Sequence, residues 1–66
     1  MSKVTIAVLL INQIEDTKKK MQVCQQSIDD LPQNEKYYEI KGKLYQRIAM
    51  HAAKIAGMYE ELDSTL

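Results

Sequence analysis

Four kinds of side chain in this 66-residue chain are of the sort that does chemistry: one thiol, one imidazole, three adjacent carboxylate pairs and four phenols. Cys24 would need a base and a lowered pKa to act as a nucleophile. It sits instead among apolar residues at helical spacing, which reads as a core thiol. Cys24 and His51 are the only thiol and imidazole ligands, and two ligands do not close a metal site. Glu15–Asp16, Asp29–Asp30 and Glu60–Glu61 are sequence neighbours, and neighbours on a helix point in different directions. None is a converging acid–base pair. No glycine-rich phosphate loop, zinc-ligand cluster or triad set is present. These residues predict a chain without catalytic activity, cofactor, metal or small-molecule substrate.

The element that organises the chain is a stripe along residues 6–31. Ala7, Leu10, Ile14, Met21, Cys24, Ile28 and Leu31, with Thr17 between Ile14 and Met21, alternate spacings of three and four. That is the period of a helix packed on a helix. The spacing predicts a first helix over about 3–30, with Ser2 or Thr5 as its N-cap. Val4, Thr5, Ile6, Val8 and Ile11 are β-branched or strand-tolerant, so residues 4–11 admit a strand as well. If they are helical, Ile6, Val8 and Leu9 point away from the seam and offer either a buried helix end in an oligomer or a docking surface. Both readings need another chain.

Pro32 disfavours a helical Leu31, and Asp29 and Asp30 oppose the helix dipole there. The turn falls at 31–34, with Asn34 as the next N-cap. A second helix over about 35–63 carries Tyr37, Leu44, Ile48, Ile55 and Leu62 on its main stripe, with Lys41 as the charged interruption. Tyr38, Tyr45, Ala49, Ala52, Ala56 and Tyr59 form an adjacent stripe. Together they are wider than one helical neighbour needs, so this helix is expected to touch two things at once. Tyr38, Tyr45, Ala52 and Tyr59, with Ile6, Val8 and Leu9, are the expected partner-binding residues. His51 is placed between the stripe and solvent. Gly42 could mark a kink that sets residues 35–41 apart, and Glu60 and Glu61 predict fraying past Leu62. Glu15–Lys19 and Asp16–Lys20 are candidate i, i+4 ion pairs.

The fold class that follows is all-α: one domain over 1–66, an antiparallel two-helix hairpin completing a helical bundle with itself or with a partner. A single seam in a chain this short supplies little core. Nine basic and nine acidic residues give zero net charge, against the concentrated positive field of a nucleic-acid binder, so no nucleic acid is expected as a partner. The apolar run Val4–Ile11 is too short to span a bilayer and passes into Asn12, Gln13, Glu15 and Asp16 with no small-residue cleavage site after it. It reads as structure in a cytoplasmic protein that does not insert into membranes, and one free cysteine fits a reducing compartment.

The segment Asn34-Glu35-Lys36-Tyr37-Tyr38-Glu39, followed by Leu44, Ile48, Ile55 and Tyr59, resembles the loop and second helix of the small co-chaperones of type III secretion needle subunits. The resemblance covers residues 33–62 and implies a helical hairpin that pairs with a repeat-type helical chaperone and keeps another protein soluble. It implies Tyr38, Tyr45 and Ala52 as partner-facing positions. The apolar run Ile6–Ile11 departs from that family, whose first helix starts more polar. The functional expectation is a helical adaptor or co-chaperone. The alternatives are a self-assembling hairpin (a homodimeric four-helix bundle) and a small regulator that touches nucleic acid.

Overall fold

A computed structural model describes residues 2–66. Helix α1 spans Lys3–Asp30, a single 3₁₀ turn spans Glu35–Tyr37, and helix α2 spans Tyr38–Thr65. The two helices have 28 residues each and pack side by side in a rod with extents of 51 × 15 × 12 Å. Residues 4–11 are helical throughout. Their β-branched propensity is overridden by the cap that precedes them and by the seam contacts of Ala7 and Leu10, which a strand would point to opposite faces.

Ser2 starts α1. It holds extended backbone angles, and its Oγ accepts from the Thr5 backbone N–H at 3.1 Å. The two hydroxyls lie 2.8 Å apart, so Thr5 completes the cap as a partner. The helix stops where Leu31 turns extended ahead of Pro32. Asp29 and Asp30, poorly placed for the dipole, each accept from a glutamine one turn back: Gln25 Nε2 at 3.0 Å and Gln26 Nε2 at 2.8 Å. Asn34 then caps the 3₁₀ turn through its side-chain oxygen, which accepts from the Lys36 N–H at 3.2 Å.

The break in the second half falls between Tyr37 and Tyr38, and α2 passes through Gly42 without interruption. Glycine lowers helix propensity, but no positive φ occurs among the described residues and flanking turns hold the helix. The C-terminal turn also persists beyond Leu62. Thr65 Oγ1 donates to the Glu61 carbonyl at 2.9 Å, and the Leu66 N–H donates to the Leu62 carbonyl at 3.0 Å. The second bond occupies a carbonyl that would otherwise be orphaned at the helix end, and the first adds a side-chain donor to the last turn.

The seam is a heptad on both helices. On α1 and the turn it takes Ala7, Leu10, Ile14, Thr17, Met21, Cys24, Ile28 and Leu31. Facing them come Tyr37, Lys41, Leu44, Ile48, His51, Ile55, Met58, Leu62 and Thr65. Ala7, Leu10, Ile14 and Ile28 are buried, and Met21, Cys24, Leu31, Leu44, Ile48, Ile55 and Leu62 are half-buried. Thr17 is buried too, its hydroxyl donating to the Gln13 carbonyl at 2.8 Å. His51 lies on the seam line, one step inward of the boundary position expected from the sequence, and Met58 joins the same line. The reason is the period: packing on a second helix follows the 3.5-residue repeat, and the straight 3.6-residue stripe drifts off both residues.

Candidate interaction surface

The register of the hairpin fixes which residues share a side. Thr17 and Met58 line one shallow groove along the seam, and Cys24 and His51 line the next. Seven residues forward on α1 is seven residues back on α2, so the helices run antiparallel. The open end of the hairpin, away from the turn, holds the first turn of α1, where residues 2–5 are exposed and Ala7 is the first buried residue.

The two flanks of this seam differ in chemistry. Both grooves open on one flank, where Lys20 lines both, with Lys54 in the first and Arg47 in the second. Lys19 and Val23 also line the second groove, and Gln13 and Asp16 the first. This flank is basic at its middle. The first groove encloses about 370 Å³ and the second about 340 Å³. Neither is a closed pocket. Among the described residues no group of three or more His, Cys, Asp or Glu gathers as metal ligands would.

The opposite flank is marked by Lys18, whose Nζ lies 5.9 Å from the centroid of the Tyr59 ring on α2. Glu15 Oε1 is 3.8 Å from the same ammonium. This is the ion pair the structure forms from Glu15, at i, i+3, in place of the Glu15–Lys19 pair expected from sequence. Lys18 lies on the Tyr59 side of α1, whereas Lys19 lines the second groove on the other flank. Tyr59, first, and the Glu15 carboxylate, second, raise the Lys18 pKa above the ordinary lysine range. On α2 the exposed ion pair is Lys43 with Glu39 at 3.6 Å.

Among the described residues eleven large apolar side chains are exposed, and seven of them (Val4, Val8, Ile11, Tyr38, Tyr45, Tyr59 and Leu66) fall on the Lys18–Tyr59 flank by heptad position. That concentration sets the flank apart from scattered surface apolar residues, which need no explanation. Of the sequence-predicted partner residues, Tyr38, Tyr45, Ala52 and Tyr59 lie on it in one line and are exposed, Tyr38 at 63% and Tyr45 at 54%. Val8 and Leu9 are exposed at the open end, on opposite sides of the outer face of α1, and Ile6 is half-buried beside the seam. The structure therefore brings the α2 residues into one surface and leaves Ile6 and Leu9 outside it. The 3.6-residue stripes omit Ile11 and Leu66 from this flank. Each stands at the same heptad position as Tyr59 on its own helix, and a strict seven-residue count finds them.

Compared with protein-family models, curated proteins and solved structures, the chain gives no significant match. No helix among the described residues is long and apolar enough to cross a membrane.

Proposed function

We propose that this chain is a non-catalytic helical interaction module, an adaptor or co-chaperone that stabilises a partner protein by adding a helical hairpin to it. The observation that carries the reading is the collection of exposed Tyr38, Tyr45, Ala52 and Tyr59 along one line of α2. Tyrosine combines an apolar body with a polar tip and is favoured at interfaces. Burying this line against a further helix gives α2 a second neighbour. The hairpin has reason to accept one, because only four apolar side chains among the described residues are buried in it and a chain of this size is marginal alone.

The partner in this reading is a helical protein, the class that the resemblance to needle-subunit co-chaperones implies, and the compartment is the cytoplasm. A protein partner also accords better with zero net charge than nucleic acid does. The test is affinity capture from a source-cell lysate with the full chain and with Tyr45→Asp. Wild type should retain a defined helical protein and raise its soluble yield on co-expression, and Tyr45→Asp should lose both effects. Should Tyr45→Asp keep every interaction while remaining helical by circular dichroism, the α2 line is not the binding surface.

A further inference from the structure

The exposed line on α2 is symmetric about Ala52 but for its ends, where Tyr38 stands opposite Leu66. Counting from Ala52, Tyr45 and Tyr59 stand seven residues away on either side, and Tyr38 and Leu66 stand fourteen away. Beside this line Ala49 and Ala56 flank the centre, three before and four after. We propose that the occupant of this surface is a second copy of the same chain, with α2 antiparallel to its counterpart across a two-fold axis at Ala52. The proposal rests on the reading of the α2 line as a protein-binding surface and names what covers it until a partner helix displaces that copy.

A two-fold axis needs a surface that is its own complement: residue i meets j, and j meets i. The α2 line meets that requirement. The two-fold brings Tyr45 of each copy onto Tyr59 of the other and lays alanines over alanines at the crossing. Small residues at the centre let the helix axes approach to the close end of the usual 8–10 Å. Rings toward the ends fill the widening gap of two crossing helices.

Charge agrees with shape. Ala52, the tyrosines, Ala49 and Ala56 are uncharged, and a chain of net charge zero does not repel its copy as a whole. Asp63, the one charged residue along the inner rows of α2 on this flank, falls level with Lys41 and Gly42 of the second copy. Gly42 has no side chain to collide with it, and Lys41 carries the opposite charge. A line 28 residues long covers about 42 Å. The result is a four-helix bundle in which the α2 helices are neighbours and the basic flanks face outward.

The experiment is sedimentation equilibrium of the full chain across concentration, joined to cysteine cross-linking with a short bis-maleimide in a Cys24→Ala background. A dimer is expected. Ala52→Cys, at the axis, should cross-link with itself; Tyr45→Cys alone should not; Tyr45→Cys mixed with Tyr59→Cys should give the mixed dimer. Ala52→Glu is the control for folding. Its position is exposed in the single hairpin, so helicity should persist while two like charges meet at the axis and weaken dimerisation by about a hundredfold. A helical monomer at every concentration overturns the proposal, and so does a dimer in which Tyr45→Cys links to itself. If that monomer still captures a different protein in a Tyr45-dependent way, the interaction module stands and only its occupant is wrong. If it captures none, both readings fall.

Discussion

Lys18 of α1 stands 5.9 Å from the centre of the Tyr59 ring of α2, with Glu15 holding the same ammonium from one turn back at 3.8 Å. The cluster bridges the seam on its apolar flank and joins a charge on one helix to a ring on the other. Tyr59, then Glu15, lift the Lys18 pKa. A group raised in the folded state adds stability below its unfolded pKa and loses it as pH rises through the folded value. For lysine that window opens above about pH 10.4. Tyr59→Phe should return the Lys18 side chain toward ordinary titration in a carbon-detected NMR experiment and leave stability at neutral pH nearly unchanged. An unmoved titration would show that the phenol hydroxyl has no part in it.

Ile14 is the most deeply covered of the buried seam residues, at 2% exposure, and Val4 is 71% exposed. Truncating a buried isoleucine to alanine costs about 2–5 kcal/mol, a large part of what a domain of this size has. Ile14→Ala should melt most of the helical signal near room temperature. Val4→Ala should leave it within about 0.5 kcal/mol of the parent, as surface changes usually do. Thermal circular dichroism at one fixed concentration separates them, since association shifts the midpoint.

That Ile14 is core is legible in the amino-acid sequence, because the α1 stripe is apolar at every step but Thr17 and the residues around it from Asn12 to Lys20 are mostly polar. The α2 stripe is harder to read. Lys41, His51 and Thr65 interrupt its seam, and the neighbouring line of Tyr38, Tyr45, Ala52 and Tyr59 is as apolar as the seam itself. The periodicity still ranks Tyr37, Leu44, Ile48, Ile55 and Leu62 as the main stripe, and they lie on the seam; packing against α1 adds His51 and Met58 to it. The all-α hairpin follows from the pattern, as does the excess of apolar surface on α2. Which of Ile6, Val8 and Leu9 share a side with that surface depends on register, and register is a property of the pair of helices.

Gly57 tests how far α2 is limited by its own propensity. It lies mid-helix without a positive φ, and a methyl group added there meets nothing within 4 Å. It also stands off both the seam and the Tyr45–Tyr59 line. Gly57→Ala should therefore stabilise the fold by about 0.5–1 kcal/mol, through a less flexible unfolded chain and a better helix former. For a chain this short that is several degrees in melting temperature, of the order of 4–8 °C per kcal/mol. A lower melting temperature would mean that another chain packs against that position.

The open end of α1 provides the last test, because its order depends on one small side chain. Residues 2–5 are exposed, so the first turn of α1 has little tertiary packing to hold it. Ser2 accepts from the Thr5 N–H, and its carbonyl accepts from the Ile6 N–H at 3.1 Å. The first turn has no acidic residue to meet the helix dipole, which leaves the cap as its main local support. Ser2→Ala should cost about 1 kcal/mol and speed amide exchange at Thr5 and Ile6 while exchange at Ile14 follows global opening. Ser2→Asp should do the opposite, since it keeps the acceptor and adds negative charge at the helix N-terminus. Equal protection at Thr5 in all three proteins would show that the open end is held by packing of Ala7 and Leu10 rather than by its cap.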